Sequence, residues 1–343
     1  MPDPTILLTG ASGVVGSAIL ECLPSDSVVA LTHYRPVAVP AVRGNITRPR
    51  LGLSAAEYQN LTTRIDVVIH CAAAVNHTTN RRYLHNVNVC GVEQLLRFAA
   101  DADARLVHVG TAFVARAGGG TPFDAYAESK AAGETLIRES GVPASIAQLS
   151  TVIGDSRTGR IARLQALHYL LGFALSGQLP FLPCEPGTHI DVIPQDIAAA
   201  ALIALAYAHD TTGTFWITAG DAALPMTRII DLGSELVAAR ARTDARTKDF
   251  DPTVFRTRLV DPAVCATVMN AVLNRAAPEA EPSVMVRAAQ LMTAFNGAET
   301  FPTSLGEIPG GPAALTLEML ERALEPTLRY LLDLPEATWT RAS

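Results

Sequence analysis

A glycine-rich turn near the amino terminus constrains the fold more than any other feature of the sequence. Residues 5–23 read TILLTGASGVVGSAILECL, a short apolar run, then a turn with Gly10, Gly13 and Gly16, then a segment from Val14 that suits a helix. Glycines here let the backbone turn tightly and approach a pyrophosphate, and the helix that follows offers unpaired N–H groups and a partial positive charge. The order of strand, turn and helix is the context that a phosphate-binding turn requires. A glycine-rich turn that binds no ligand is the alternative.

The same alternation of apolar runs and helical segments continues along the chain. Four later runs are rich in β-branched residues, at 28–32, 66–70, 105–110 and 144–150. Their apolar character is continuous rather than alternating, which is typical of strands buried on both faces of a parallel sheet. We therefore predict an α/β fold, a doubly wound Rossmann-type parallel sheet with a smaller, mainly helical C-terminal part.

Local signals place further elements. Ser54 and Glu57 have the spacing of a capping box, which predicts the start of a helix. After about residue 155 the pattern changes and prolines become frequent. The segments predicted there are an irregular loop at 179–187 (LPFLPCEPG), strands at 189–193 and 214–218, a helix from Gln195, and helices at 283–293 and 315–332.

Composition excludes several classes of function. The 343 residues include 27 basic and 33 acidic side chains, a net charge of −6, so the basic footprint of a nucleic-acid-binding protein is missing. The first residues lack a signal-peptide pattern, and the longest apolar run, at 197–208, is shorter than the roughly 20 residues that span a bilayer. Five cysteines without a C-x-x-C pair indicate no metal site. We expect a cytoplasmic protein that binds neither nucleic acid nor a membrane.

The end of the second predicted strand bears on the choice of dinucleotide. An acidic residue there would bind the adenosine ribose hydroxyls and repel a 2′-phosphate, but residues 31–36 read LTHYRP, without a carboxylate. Arg35 can pair with a phosphate, with His33 and Arg43 beside it. This favours NADPH over NADH. An arginine that simply faces solvent is the alternative.

Tyr126 and Lys130 are a candidate proton-donating pair. They stand four residues apart in DAYAESKAAGE and so share one face of a helix. An ammonium about 4 Å from a phenol favours the phenolate by up to roughly 4 kcal/mol at an effective dielectric of 20, so we expect Lys130 to lower the pKa of Tyr126. Thr111, at the end of the predicted strand RLVHVG, can hydrogen-bond a substrate carbonyl oxygen. Two polar residues on the outside of a helix are the alternative.

These motifs resemble the extended short-chain dehydrogenases/reductases, whose glycine motif T-G-x-x-G-x-x-G matches residues 9–16. The resemblance implies a catalytic set and a cofactor-binding set. Asn45 replaces the aspartate that usually touches adenine, yet can still offer an oxygen. For the three alanines, ordinary helix–sheet packing is the alternative. The implied catalytic residues are Thr111, Tyr126, Lys130 and Asn88, and the implied cofactor-binding residues are Thr9, Gly10, Ser12, Gly13, Val14, Val15, Gly16, His33, Arg35, Asn45, Ile46, Ala72, Ala73, Ala74, Tyr126, Lys130, Ser150 and Val152.

Other stretches narrow the resemblance to the thioester reductases and fatty acyl-CoA reductases, the male-sterility type. They are RPRLGL, HCAAAVNH, VGTAFVA, STVIGDSRTGRI at 150–161 and HIDVIPQDIAAAAL at 189–202. The resemblance implies hydride transfer to an acyl thioester on coenzyme A or on an acyl carrier protein that acts in trans, giving an aldehyde or alcohol. The alternatives are a reductase of free ketones or aldehydes in secondary metabolism and, from another class, a non-catalytic NADP-binding sensor or scaffold.

The resemblance also implies a division of the chain. We predict an NADP-binding Rossmann domain formed by residues 1–160 and 189–218. Residues 161–188 and 219–343 are predicted to form the substrate-binding part.

Overall fold

The computed structural model describes residues 3–75, 80–118, 123–243, 256–264, 284–296, 299–335 and 338. The strands in this part of the chain are β1 (Ile6–Thr9), β2 (Val28–Thr32), β3 (Ala41–Arg43), β4 (Val67–His70), β5 (Arg105–Val109), β6 (Ala144–Leu149), β7 (Thr151–Ile153), β8 (Phe181–Pro183), β9 (His189–Ile190), β10 (Val192–Pro194), β11 (Gly213–Ile217), β12 (Leu224–Pro225) and β13 (Arg258–Val260). The α-helices are α1 (Val14–Cys22), α2 (Ala55–Thr62), α3 (Arg81–His85), α4 (Gly91–Ala102), α5 (Asp124–Glu139), α6 (Ala166–Leu175), α7 (Gln195–Tyr207), α8 (Met226–Thr243), α9 (Val284–Met292) and α10 (Leu317–Asp333).

The chain divides into two compact units. Unit 1 comprises Met1–Val152, Gln195–Ala219 and Phe301–Leu315, and unit 2 comprises Ile153–Pro194, Gly220–Thr300 and Thr316–Ser343.

Unit 1 is built on a parallel sheet of seven strands in the order β11-β6-β5-β4-β1-β2-β3. The chain starts near the middle at β1, moves outward to β2 and β3, and returns to β4 on the other side of β1. The predicted doubly wound fold is confirmed. Continuous apolar runs form most of these strands, because helices cover both faces of such a sheet and its central strands are buried on both sides.

Two rows of side chains run across one face of the sheet. The parallel register aligns Leu7 with Val68 and Val68 with Leu106; we call these residues the apolar row. Two positions further along each strand, Thr9 aligns with His70 and His70 with His108; we call these the polar row. Side chains two residues apart on a strand point to the same face, so the two rows are neighbours. The apolar row belongs to a core cluster with residues of α2, α4 and α5.

The capping box predicted at Ser54 is confirmed. The Ser54 hydroxyl accepts a hydrogen bond from the Glu57 backbone N–H, and the Glu57 carboxylate accepts one from the Ser54 backbone N–H. Together they satisfy N–H groups that the first turn of α2 leaves without helical partners.

Residues 301–315 belong to unit 1, whereas the predicted division assigned them to the substrate-binding part. The Ser304 N–H donates to the Trp216 carbonyl (2.7 Å), and the Trp216 N–H donates to the Ser304 hydroxyl (3.0 Å). Phe301 stacks on the Trp216 ring at 6.1 Å between centroids. The segment therefore pairs with β11, the strand at the edge of the sheet, and satisfies polar groups that an edge strand leaves open.

Unit 2 contains α6, α8, α9 and α10 with short strand pairs. Residues 179–187 were predicted to be an irregular loop, but Phe181–Pro183 form β8, which pairs with β13 in parallel register. Proline is tolerated here because it lies in a two-stranded sheet, where both strands are edges. The predicted strand at 189–193 is interrupted at Asp191, whose Oδ2 accepts a hydrogen bond from the Gly220 N–H (3.3 Å).

Candidate active site

The glycine turn is closely packed against the end of β4. Gly10 has a φ of +71°, and a Cβ there would lie 2.6 Å from the Ala72 nitrogen, so only glycine fits. A Cβ on Gly16 would collide with the Gly10 carbonyl. Helix α1 begins directly after Gly13, which offers no side chain to cap its N–H groups, and Ser12 beside it is exposed. Such a turn suits a pyrophosphate. The Val14 side chain is buried, while Val15 is half-buried.

Thr9 was predicted to bind the cofactor, but the structure uses its hydroxyl inside the sheet. The Thr9 oxygen accepts a hydrogen bond from the Ala72 N–H (3.2 Å) and lies 2.7 Å from Nδ1 of His70. The hydroxyl proton is therefore available to His70. Burial lowers the pKa of His70 to about 3, so its ring is neutral at neutral pH.

Asn88 was predicted to be catalytic, and its side chain makes three hydrogen bonds within the protein. It lies in a π-helical turn, Asn86–Cys90, where its Oδ1 accepts a hydrogen bond from the Ala74 N–H (2.8 Å). Its Nδ2 donates to the Ala74 carbonyl and to the Ser129 hydroxyl, both at 3.0 Å. Asn88 thus ties the end of β4 to α5, because all of its polar atoms are engaged by these two segments. We describe it as a positioning residue.

The end of β2 is open. His33 and Arg35 are both exposed there, and no carboxylate occurs at 31–36. Asn45 follows β3, but its Oδ1 already accepts hydrogen bonds from the Thr47 N–H (2.9 Å) and hydroxyl (2.8 Å). Thr47 thus engages this oxygen, and a contact between Asn45 and adenine stays a prediction. The Ile46 side chain packs against Gly91, since a Cβ on Gly91 would lie 3.0 Å from Ile46 Cδ1.

Thr111 and Tyr126 come together as predicted. Thr111 follows β5 and is buried, and its side chain hydrogen-bonds the Tyr126 side chain. Burial nevertheless raises the pKa of Tyr126 to about 12, although the Thr111 hydrogen bond opposes the rise. The expected lowering of this pKa by Lys130 is wrong for this structure, because loss of hydration outweighs the stabilisation of the phenolate. Tyr126 is accordingly a protonated phenol at neutral pH.

Lys130 follows Tyr126 by one helical turn, and its ammonium is turned into the protein. Its Nζ donates to the Val109 carbonyl (2.7 Å) and is 3.2 Å from Nε2 of His108. Only 3% of Lys130 is exposed, and burial lowers its pKa to about 8. The Lys130 ammonium is therefore held by two atoms of β5, the Val109 carbonyl oxygen and Nε2 of His108.

The remaining predicted cofactor residues lie at the ends of β4 and β6. Ala72 and Ala73 are half-buried and Ala74 is buried. Ser150 and Val152 are each 6% exposed, and the Ser150 hydroxyl has no hydrogen-bond partner among the residues that the structure describes.

Sequence reasoning missed three polar residues around Lys130, namely His108, Glu134 and Gln148. All three are buried, and Gln148 Nε2 donates to Glu134 Oε2 at 2.8 Å. A signal was present for His108, which occupies the last inward position of a buried strand, next to His70 in the neighbouring strand. Polar residues at such positions face the carboxyl-end crevice where ligands bind in these sheets.

The described residues offer neither a metal site nor a helix that could span a membrane. No group of three or more His, Cys, Asp or Glu side chains in this part of the chain is arranged to hold a metal ion. Of the described helices, none combines the length and apolar character that crossing a bilayer requires.

The glycine turn and the Thr111–Tyr126–Lys130 set at the carboxyl ends of parallel strands define a Rossmann-fold, nicotinamide-dependent reductase of the extended short-chain type. The family model described as male sterility protein, an NAD-binding family, matches residues 30–122 and 117–202, about half of the chain. The chain belongs to this family, and the resemblance inferred from its motifs is confirmed.

Curated relatives are much longer proteins. Glycine betaine reductase ATRR of Emericella nidulans is 27% identical over 252 residues, covering 59% of this chain and 20% of the relative. The L-2-aminoadipate reductase large subunit of Penicillium chrysogenum is 28% identical over 269 residues, covering 62% of this chain and 19% of the relative. The chain thus spans about a fifth of the length of these proteins.

A solved structure shares the fold. The terminal R domain from the myxalamid PKS-NRPS biosynthetic pathway superposes with a TM-score of 0.71 at 20% identity, covering 98% of this chain and 93% of the other.

Proposed function

We propose that this chain is an NADPH-dependent reductase that transfers hydride to the carbonyl carbon of an acyl thioester, giving an aldehyde or an alcohol. The single observation that carries the proposal is the hydrogen bond between the Thr111 and Tyr126 side chains, with the Lys130 ammonium held at the end of β5. The names of the relatives support the substrate class, since one is an aminoadipate reductase and the structural neighbour is an R domain of a PKS-NRPS pathway.

The protonation states of the site suit the reductive direction. Bound NADPH supplies the hydride. Negative charge then develops on the carbonyl oxygen, and Tyr126 is the group that can donate a proton to it, since a phenol with a pKa of about 12 retains its proton at neutral pH. The Thr111 hydroxyl carries a single proton, so it can donate to the same oxygen once bound substrate replaces its hydrogen bond to Tyr126. Lys130 adds a positive charge nearby.

The residues present fit a phosphorylated dinucleotide. The glycine turn and the first turn of α1 suit the pyrophosphate, and Arg35 with His33 at the open end of β2 suits a 2′-phosphate. Ser150 has a buried hydroxyl with no partner among the described residues, which is consistent with a ligand at the end of β6. The proposed cofactor is therefore NADPH.

We also propose how the acyl group arrives. It is carried as a thioester on an acyl carrier protein that acts in trans, or on coenzyme A. The PKS-NRPS origin of the structural neighbour supports a carrier-bound substrate, because the name of that pathway denotes synthetases that assemble acyl and peptidyl chains.

Oxidation of NADPH across three matched substrates tests the proposal. The same acyl chain is supplied as a carrier-protein thioester, as a coenzyme A thioester and as the free aldehyde, with a methyl ketone as the fourth arm, and products are identified by mass spectrometry. We expect thioester-dependent NADPH oxidation with release of aldehyde or alcohol. Turnover of the aldehyde or ketone alone would instead establish a reductase of free carbonyl compounds. Binding of NADPH without turnover of any arm would establish a sensor or scaffold.

A further inference from the structure

Lys130 is surrounded by polar groups that none of the proposed reaction steps uses. Nζ of Lys130 is 3.2 Å from Nε2 of His108, which belongs to the polar row. One helical turn after Lys130, on the same face of α5, Glu134 is completely buried. A fully buried carboxylate is rare unless it is paired, so its position calls for an explanation.

The contact between Lys130 and His108 fixes the tautomer of the ring. An ammonium can only donate, so Nε2 of His108 must accept and its proton must lie on Nδ1. Burial and the Lys130 charge hold the pKa of His108 well below its usual value, which keeps the ring neutral and able to accept. With the Val109 carbonyl as a second acceptor at 2.7 Å, the direction of the ammonium is set by two atoms of β5.

Glu134 also reaches the end of β5. A Cβ on Gly110, the residue after Val109, would lie 2.8 Å from Glu134 Oε1. The other carboxylate oxygen accepts from Gln148 Nε2 (2.8 Å) and from Arg138 Nη2 (3.1 Å). These bonds hold the carboxylate in place, and Oε1 has no hydrogen-bond partner among the described residues.

We propose that His108 and Glu134 are the positioning residues of Lys130: the His108 ring fixes where the ammonium lies, and the Glu134 carboxylate, buried one helical turn away and held by Gln148 and Arg138, is its counter-charge. The consequence for turnover rests on the proposed function, but the effect on Lys130 itself does not. The site thus contains a charge-balancing group inside the protein in addition to the Thr111–Tyr126–Lys130 set.

The titratable groups around Lys130 come from β4, the residue after β4, β5 and α5. His70 lies on β4, Cys71 follows it, His108 lies on β5, and Tyr126, Glu134 and Arg138 lie on α5. Burial lowers the pKa of Lys130 to about 8, whereas Glu134 and then Cys71 raise it. Burial also raises the pKa of the Cys71 thiol to about 12, so Cys71 is neutral at neutral pH. Burial raises the pKa of Glu134 too, but the Gln148 hydrogen bond and the Lys130 and Arg138 charges oppose that rise, which leaves Glu134 as the negative charge next to Lys130.

The sequence makes a direct measurement of this effect feasible. It contains only two lysines, Lys130 and Lys248, so a protein labelled with ¹³C at the lysine ε-carbon gives two signals, and the Lys248→Arg variant assigns them. The pKa of Lys130 is read from the pH dependence of its signal. Glu134→Gln removes the charge but keeps an oxygen for Gln148. Glu139→Gln removes an exposed charge from the same helix and is the matched control.

We expect Glu134→Gln to lower the pKa of Lys130 by about one unit, since an opposite charge at close range typically shifts a pKa by about one to three units. Glu139→Gln should leave it unchanged. The same pKa in wild type and Glu134→Gln would overturn the assignment of Glu134.

Two substitutions of His108 separate positioning from folding. His108→Gln keeps an acceptor for Lys130, and His108→Leu removes it. We expect kcat to fall by about tenfold or more in His108→Leu, because a hydrogen bond to a charged group is lost, with recovery in His108→Gln and little change in the KM for NADPH. Equal kcat values for wild type and His108→Leu would overturn the role of His108. If His108→Leu does not fold, folded His108→Phe replaces it, and a wild-type kcat in that variant would overturn the role of His108.

Failure of the proposed function is distinguishable from failure of this inference. A wild-type protein that reduces no carbonyl compound overturns the function, while the Lys130 titration, which needs no substrate, still decides the role of Glu134. A ¹⁵N spectrum of the His108 ring that places its proton on Nε2 would contradict the role of His108 in the same substrate-free sample.

Discussion

The apolar row and the polar row occupy the same face of one sheet, two residues apart, and are equally buried. Leu7, Val68 and Leu106 are 0–1% exposed, and so are Thr9, His70 and His108. The apolar row packs into the core cluster with α2, α4 and α5. The polar row instead makes hydrogen bonds to its neighbours and, through His108, to Lys130.

The difference shows that depth of burial does not separate core from site in this fold. Burying a polar group costs free energy unless it is hydrogen-bonded, so the polar row depends on partners such as the Ala72 N–H and Lys130. The carboxyl ends of the strands provide such partners, because the loops and the start of α5 converge there. We expect substitutions in the two rows to have separable effects, on stability in one and on turnover in the other.

The largest effect is expected at the group that the polar row serves. In Tyr126→Phe, loss of the proton donor should lower kcat by about 100- to 10,000-fold, the range for general acid catalysis, with NADPH binding retained. Tyr58→Phe is the matched control, because the Tyr58 hydroxyl bonds Asp101 at the surface (2.7 Å). Steady-state kinetics and NADPH titration check both variants. A kcat within twofold of wild type in Tyr126→Phe would remove Tyr126 from the mechanism.

The apolar row should respond in the opposite way. Leu106→Ala leaves a cavity in a close-packed core, so we expect the free energy of unfolding to fall by about 2–5 kcal/mol. The kcat of the folded fraction should stay within about twofold, since Leu106 touches the site only through the sheet. Urea unfolding and active-site-normalised kinetics measure the two quantities. A large loss of kcat in folded Leu106→Ala would mean that the rows are not separable.

Acid should affect the polar row before the apolar row. The pKa of His70 is lowered by burial from 6.5 to about 3, so between these values the unfolded chain binds a proton that the folded chain does not. The stability that neutral His70 provides is therefore present above pH 6.5 and is lost as pH falls towards 3, at about 1.4 kcal/mol per unit of pKa difference. Urea unfolding from neutral to mildly acidic pH measures this slope. His70→Asn should reduce this slope by the contribution of up to one proton, about 1.4 kcal/mol per pH unit. An unchanged slope would show that His70 does not cause the pH dependence of stability.

The smallest effect is expected at the exposed end of β2. Arg35→Ala should raise the KM for NADPH by about tenfold, the loss of one charge-assisted hydrogen bond, and leave the KM for NADH unchanged. Arg97→Ala is the control, because Arg97 pairs with Glu93 on the outside of α4 (2.6 Å). Equal kcat/KM for the two cofactors in wild type would show that Arg35 does not bind a 2′-phosphate.

Elements with strong local signals could be predicted from the sequence. The strand at 28–32 matched to the residue, and α2 began at the predicted capping box, because continuous apolar runs and Ser–Glu spacing act over a few residues. The strand at 181–183 could not be predicted, because its partner strand lies more than seventy residues away and the prolines around it favour a loop. The assignment of residues 301–315 to unit 1 likewise depended on the distant strand β11.

The same division applies to the candidate site. Thr111, Tyr126 and Lys130 were predictable, because a strand end and a four-residue helical spacing fix their relative positions locally. The direction in which the pKa of Tyr126 shifts was not predictable, since it depends on burial that no local pattern reveals. The hydrogen-bond partner of Asn45 was not predictable for a related reason: its oxygen is engaged by Thr47 in a turn that only the backbone conformation shows.

By itself, the sequence determined the glycine turn, the parallel sheet and the order of the residues that can carry out carbonyl reduction, because spacing and apolar continuity encode them. Only the tertiary structure decided which buried polar residues meet. His70 and His108 are 38 positions apart in sequence yet adjacent in register, and Glu134 and Gln148 meet at the end of β5. The physical reason is that desolvation and charge depend on three-dimensional proximity, so the state of Lys130 is set by neighbours that the chain brings together only on folding.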